Sequence, residues 1–463
     1  MIVDRTELHG SSRFSISQMR EYEEESATPK RRLKILLITA GCDRTATGEA
    51  WSSFQWVSRI GQRHDVTLLN CRISDKPPTA LQLPGVRVVE WTDFPLFERF
   101  VVFNRMLKPG YVPFYVRARS WIKSYLKSGE TFDLVHQISP LALRYPSPAA
   151  GLGLPLVIGP LGGSIENPQA FRDDLKKAAW YTKLRSLDEW RLRHDPLLRR
   201  SYAGATRLIG VAPYVKALLG DLPAAEIEFM SETGVTELPP ARVTKQARAG
   251  QIRLLFVGRV IRSKGVRDVV RAMAKLTDVD GLTLDVVGEG DDLAACKDEA
   301  RELGVSHRIT FHGKLPRHEV EPFYERADVF VFPSFREPSG NAVLEAMSHG
   351  LAMIVADRGG PGFVVDDACG FRIPVTDPEK FSSGIADSIR RLVQKRDSIA
   401  AMGTAAREKV RAQFLWDAKV ERMSDLYYRT LDHSRQGIRT ECEARKTPIP
   451  GSERTNTPLV HAP

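Results

Sequence analysis

Short apolar runs alternate along this chain with stretches whose apolar residues recur at helical spacing. Lys34-Ile35-Leu36-Leu37-Ile38-Thr39 reads as a buried strand, residues 48–60 as a helix, and Asp65-Val66-Thr67-Leu68-Leu69 as a second strand. Val86–Val89, Phe132–His136, Leu156–Gly159 and Thr206–Gly210 complete that series. The pattern then restarts at Arg253–Gly258. The segment after it places Val266, Val269, Val270 and Met273 at spacings of 0, 3, 4 and 7, one face of a helix. Leu284–Gly288, Ile309–Phe311, Val329–Phe332 and Met353–Ala356 are further strands. Two successive strand–helix series predict an α/β protein with two doubly wound parallel sheets, each covered by helices on both faces.

The break falls in residues 213–250, which hold Pro213, Pro223, Pro239, Pro240 and the polar run Arg242–Gly250. The expected organisation is a first Rossmann-like domain at 33–229, a linker at 230–250 and a second domain at 251–415. Trp416, Val420, Met423 and Tyr427, at spacings of 0, 4, 7 and 11, predict an amphipathic helix over 416–432. It follows a second domain that is already complete, so its apolar face has to be buried elsewhere. Residues 1–32 lack a hydrophobic period, and 433–463 carry four prolines and few large apolar residues. Both read as disordered tails.

Composition narrows the class. Hydrophobic residues make up 42% of the chain, enough for two ordinary cores. No apolar run reaches the ~18 residues a membrane-spanning helix needs. The N-terminus lacks the basic-then-apolar order of a secretory signal. Cys42, Cys71, Cys296, Cys369 and Cys442 are scattered and never form a C-x-x-C pair, which argues against a disulfide framework and a structural zinc site. A cytoplasmic location follows as the expectation. The net charge of +10 suits polyanionic partners. No nucleic-acid motif accompanies it, so nucleic acid is not an expected partner. Residues 99–127 concentrate Arg99, Arg105, Lys108, Arg117, Arg119, Lys123 and Lys127 among aromatic residues. They read either as a patch resting on anionic lipid at the inner membrane face, or as core aromatics beneath a solvated basic face.

The densest chemical signal is Phe332-Pro333-Ser334-Phe335-Arg336-Glu337-Pro338-Ser339-Gly340-Asn341-Ala342-Val343-Leu344-Glu345. A buried strand enters a polar loop that enters a helix near 339–341. Ser339 or Asn341 is expected to cap that helix, and Gly340 to let a ligand approach the backbone. Free amides and the positive end of the helix dipole make a phosphate site. Glu337 and Glu345 bracket it, and a carboxylate accepts hydrogen bonds from hydroxyl pairs. A second segment, Gly258-Arg259-Val260-Ile261-Arg262-Ser263-Lys264-Gly265, sets two cations five positions apart across a turn, in reach of one diphosphate. It is no Walker A loop, since no Ser or Thr follows the lysine. Gly288-Glu289-Gly290 lacks the third glycine of a dinucleotide fingerprint and reads as a strand-to-helix turn. His136 ends a strand and is expected to look into the ligand cleft, with a structural hydrogen-bonder as the alternative. Gly162 and Gly163 follow another strand and permit close backbone approach.

These residues resemble the family 4 retaining glycosyltransferases over roughly residues 33–432. The most specific element is Glu337 and Glu345 within E-P-S-G-N-A-V-L-E. The resemblance implies the GT-B fold, two facing Rossmann-like domains, and a nucleotide-diphosphate sugar as donor with no metal or other cofactor. It implies that Arg259 and Lys264 hold the diphosphate and that Glu337 contacts the transferred sugar. The amides of Ser339, Gly340 and Asn341 would bind phosphate, Glu345 the ribose, and Gly313 to Leu315 the base. Gly258 belongs to the second segment, and Gly48 stands where the family often has a glycine pair. His136 resembles the family's histidine near the sugar. The final helix resembles one that crosses back onto the first domain. The segment from His136 to Gly163 is similar to members associated with bacterial surface polysaccharides, so a saccharide or lipid-linked saccharide acceptor is expected. The rival readings are a GT-B epimerase or phosphorylase and a non-catalytic nucleotide-sugar-binding module.

Overall fold

Strands β1 (Lys34–Thr39), β2 (Asp65–Arg72), β3 (Arg87–Thr92), β4 (Leu134–Gln137), β5 (Leu156–Leu161), β6 (Arg207–Gly210) and β7 (Ile227–Phe229) form one sheet in the order β3-β2-β1-β4-β5-β6-β7. Strands β8 (Ile252–Val257), β9 (Leu282–Val287), β10 (Ile309–Gly313), β11 (Val329–Phe332), β12 (Ala352–Ala356) and β13 (Gly370–Ile373) form a second, ordered β10-β9-β8-β11-β12-β13. Every neighbouring pair is parallel. The central strands β11 and β12 are apolar on both faces because helices cover both, as their unbroken burial shows. The computed structural model describes residues 30–72, 76–92, 108, 110–171, 186–220, 222, 226–240 and 250–444, with only the backbone of 186–189 and 435–444.

Two strands were not legible as such. β7 has three residues, Ile-Glu-Phe, and lies inside the expected break at 213–250, as does a helix at Tyr214–Leu219. β13 begins on Gly370 and carries Arg372. Both are edge strands, where half the backbone is unpaired and the apolar run is short.

The helices that matter for the site are α1 (Glu49–Arg63), α2 (Tyr111–Lys127), α3 (Val266–Ala274), α4 (Asn341–Ser348) and α5 (Trp416–Ala444). The apolar stripe of α5 is buried against the first sheet's side of the molecule. Trp416 meets Trp56 of α1 edge-to-face at 5.2 Å between ring centroids and Trp51 at 6.1 Å. Ser424 Oγ lies 3.0 Å from His64 Nε2. Lys419, 1% exposed, points its ammonium at the Ser231 carbonyl and over the rings of Trp56 and Trp416. Where the sequence suggested a tail from 433, the helix continues to Ala444. That stretch has no apolar stripe, which is why its helix left no sign in the sequence. Residues 1–29 and 445–463, the rest of the two expected tails, lie outside the described residues.

Phe171 belongs to the first half of the sequence yet packs in the second core, against Phe335 at 4.6 Å and Phe381 at 6.0 Å. Of the basic segment 99–127, residues 99–107 and 109 lie outside the described residues. Within α2, Tyr111 and Phe114 are core, Trp121 stacks on Tyr125 at 5.0 Å, and Arg119 donates to the carbonyls of Pro148 and Ala150. Among the described residues no helix is long and apolar enough to cross a membrane.

Candidate functional site

In the second sheet the strand order reverses between β8 and β11, and ligands of open α/β sheets bind in the crevice beyond such a reversal. The loops leaving those two strands are the two segments with chemical content, 258–265 and 333–340. They are stitched together: the Phe335 amide and the Ser334 hydroxyl both donate to the Ser263 carbonyl, at 3.2 and 3.3 Å. Gly265 is left-handed at φ 78°, and a Cβ there would sit 2.4 Å from the Pro333 carbonyl oxygen, so only glycine fits. Arg262–Lys264 form a 3₁₀ turn, and α3 starts just beyond, at Val266. The turn is anchored by Arg262, whose guanidinium grips both oxygens of Asp268 at 2.6 and 3.1 Å.

That anchoring presents Lys264. Its ammonium pairs with Glu337 Oε2 and sits 5.2 Å from the centre of the Phe332 ring. Glu337 Oε1 accepts the Gly340 amide at 3.3 Å. Gly340, left-handed at φ 88°, is the N-cap of α4. Lysine, carboxylate and helix start are thus one hydrogen-bonded unit. The amides of Asn341 and Ala342 have no acceptor among the described residues, so the positive end of α4 is open. Arg259 is exposed and has no ion-pair partner among the described residues. The expected side-chain cap is not formed: Asn341 is the exposed first residue of α4, and the Ser339 hydroxyl donates instead to Glu232 Oε1.

The glycines of the neighbouring loops serve backbone packing. A Cβ on Gly288 would lie 1.8 Å from the Gly258 carbonyl oxygen, and one on Gly290 2.2 Å from that of Val260. The Gly258 amide donates to Val287 and the Gly288 amide to the Gly313 carbonyl. Leu315, just past β10, is half-buried against the second core. Glu345 faces this side. Tyr324 Oη donates to its Oε2 at 3.1 Å, and Arg317 stands 3.7 Å from Oε1. Burial pushes the Glu345 carboxyl up, against the pull of Arg317 and Tyr324.

The first sheet corrects the reading of His136. It is fully buried, with Nε2 2.7 Å from the Gly159 carbonyl and Nδ1 2.6 Å from Tyr427 Oη of α5. A carbonyl only accepts, so Nε2 carries the proton and Nδ1 accepts from tyrosine. Burial lowers its pKa to about 4, against the Gly159 bond, so the ring is neutral near pH 7. With both nitrogens committed and no exposure, His136 pins α5 to the first sheet and presents nothing to a ligand. Gly48 is exposed just before α1 with φ 68°, and a Cβ there would meet no atom within 4 Å. Gly162 packs against Val211, where a Cβ would come to 3.0 Å. Gly163 donates its amide to Tyr214 Oη at 3.1 Å.

The structure therefore gathers Lys264, Glu337, Ser339 and Gly340, with Glu232 from the linker added to them. The first-sheet side reaches the same loop: a Cβ on Gly359 would lie 2.1 Å from the Glu337 carbonyl oxygen and 3.0 Å from Ile165 Cδ1, and Arg358 donates to the Glu166 carbonyl at 2.7 Å. Sequence reasoning passed over Glu232 and Tyr214.

Residues 241–409 match the family described as Glycosyl transferases group 1. Over 247 residues the chain is 29% identical to the GDP-mannose-dependent alpha-(1-6)-phosphatidylinositol monomannoside mannosyltransferase of Mycobacterium tuberculosis. That stretch is 50% of this chain and 63% of the relative, so the chain spans less than two thirds of the relative's length. Among solved structures, sucrose-phosphate synthase from Thermosynechococcus elongatus superposes with a TM-score of 0.57 at 21% identity, covering 87% of this chain and 100% of that one. Anabaena HepE in complex with UDP superposes with a TM-score of 0.59 at 16% identity, covering 85% and 99%. The shared architecture, two parallel sheets layered with helices, is the GT-B fold of those glycosyltransferases.

Proposed function

We propose that the chain transfers a sugar from a nucleotide diphosphate to a saccharide or lipid-linked saccharide acceptor, in polysaccharide or glycolipid synthesis of the kind that builds bacterial surfaces. The observation that carries this is the Lys264–Glu337–Gly340 unit at the open start of α4. Arg259 stands nearby in sequence without an ion-pair partner among the described residues. In this reading the diphosphate lies against the amides of 341 and 342. Lys264 and Arg259 meet the charge that builds as it departs, an electrostatic stabilisation by donors already in place. Those cations do what a metal ion does in other transferases, so the reaction is read as metal-independent. Glu337 receives a hydroxyl of the transferred sugar and Glu345 the ribose. The acceptor oxygen bonds to the anomeric carbon on the face from which the C–O bond to the diphosphate breaks, giving retention, and the acceptor's proton passes to the departing phosphate oxygen. No protein base is required by that route. The group 1 match and the intact cation–carboxylate unit favour transfer over an epimerase, a phosphorylase or a non-catalytic module.

A thermal-shift screen with UDP-, GDP- and ADP-sugars tests the proposal. One donor should raise the unfolding temperature with concentration, since a ligand at 100 times its Kd stabilises by about 2.7 kcal/mol. Absence of any shift, with no nucleoside diphosphate released on incubation with acceptor extracts, would sink it.

Peripheral membrane contact rests on the outer face of α2, where Val112 and Val116 are exposed near Lys123 and Lys127. Co-sedimentation with phosphatidylglycerol vesicles should be seen at low salt and fade at high salt. No binding at either salt removes the membrane from the proposal.

A further inference from the structure

We infer that Glu232 positions the sugar of the donor by accepting a hydrogen bond from one of its hydroxyls, an inference that rests on the donor reading above. Glu232 lies just past β7, in the strip whose Val235 pairs with Leu415 at the entry to α5. Its backbone is held from two sides. The Glu232 carbonyl accepts Trp56 Nε1–H at 3.0 Å, and the preceding Ser231 carbonyl accepts the buried Lys419 ammonium. The two carboxyl oxygens differ. Oε1 accepts the Ser339 hydroxyl, whereas Oε2 is shielded from solvent and has no hydrogen-bond partner among the described residues. A buried carboxyl oxygen without a donor is costly and therefore rare in folded proteins, and a ligand that supplies the donor accounts for it.

The surroundings say what kind of group would fill it. Ser339 adjoins Gly340 and the start of α4, so Glu232 borders the proposed diphosphate site. Burial raises the Glu232 carboxyl, and the charge of Glu337 adds to that rise, while Ser339, the residue's own backbone amide and Lys419 oppose it. Burial likewise raises the Tyr214 hydroxyl, with Glu232 and Glu337 contributing. Tyr214 Oη accepts the Gly163 amide, and its own proton has no acceptor among the described residues. Two neighbouring carboxyls repel an anion, so phosphate does not suit Oε2. Lys264 already neutralises Glu337, which makes it a poor cation site too. A neutral polyol fits: one hydroxyl can donate to Glu232 Oε2 and a neighbouring oxygen can accept from Tyr214. Next to a bound diphosphate, that polyol is the attached sugar.

Paired ligands separate this from a structural role. UDP, GDP and ADP are titrated against UDP-glucose, GDP-mannose and ADP-glucose by calorimetry, with wild type, Glu232→Gln and Glu232→Asp. Gln keeps the size and the Ser339 acceptor but replaces the Oε2 acceptor with an amide donor. The Kd of the preferred nucleotide sugar should weaken about tenfold or more in Glu232→Gln, as sites built to pair a hydroxyl respond strongly to a mismatched partner. The Kd of the matching sugar-free diphosphate should not weaken, since the change removes no donor to it and takes away a neighbouring negative charge. Equal weakening of both ligands, or of neither, overturns the inference. Wild type that binds neither member of any pair overturns the donor reading itself, and this inference with it. Should Glu232→Gln fail to fold, Glu232→Asp, which withdraws the carboxylate by one methylene, is held to the same pair of outcomes.

Discussion

Lys264→Ala should lower sugar transfer by about 10²–10³-fold, or about 2.7–4 kcal/mol of barrier, the scale of losing one preset donor to a developing anion. The effect is expected to be large because the lysine is not a solvated surface charge. It is 8% exposed, lies above Phe332 and is held by Glu337 against the start of α4. In that setting a cation meets the leaving diphosphate with little water between them. The two cores are untouched by the change, so the unfolding transition should persist. Lys264→Arg should recover little, since a planar fork does not reproduce the compact ammonium seated between Glu337 and the Phe332 ring. Steady-state rates with the donor found in the thermal screen, alongside an unfolding curve, give the result. Turnover at the wild-type rate in Lys264→Ala would take the lysine out of the reaction.

Trp416→Ala should destabilise the protein by about 3–5 kcal/mol, the range for emptying a buried large aromatic site. Trp416 is wholly buried and makes edge-to-face contacts with Trp51 and Trp56, while Arg59 and Lys419 lie over its ring. Removing it opens a cavity beside Lys419, whose pKa burial already depresses to about 7. Water entering there would favour the charged lysine and loosen the ammonium's contact with Ser231. The urea midpoint measures the loss. Trp190→Ala is the reference, because Trp190 is 58% exposed and its truncation should change stability by no more than about 0.5 kcal/mol. Equal midpoints for the two variants would show that α5 contributes little to holding the first sheet together.

Long apolar strands and the loops between them were legible in the sequence because burial on both faces leaves unbroken runs such as Val-Phe-Val-Phe and Ala-Met-Ile-Val-Ala. The pairing of Lys264 with Glu337 was legible only as proximity. Strand order brings their loops together, and local spacing says nothing of that. His136 misled because its neighbours along the chain could not reveal Tyr427, which arrives from the far end of the sequence and takes the nitrogen that would have faced a ligand. Ser339 misled in a similar way. A serine before a helix is a good cap on local grounds, but Glu232 competes for its hydroxyl and Gly340 takes the cap position. Glu232 itself was out of reach of pattern reasoning: a single polar residue in a linker has no period, and only the packed structure shows that one of its oxygens is buried without a partner.

The embrace of α5 and α1 also sets an order of events while the protein is being made. Tyr427 follows His136 by 291 residues. At about 5–20 residues per second, a ribosome needs on the order of 15–60 s to cover that distance. Throughout that interval the nascent N-terminal half carries Trp56 and the neutral His136 without the helix that covers them, an apolar face open to chaperones or to another nascent chain.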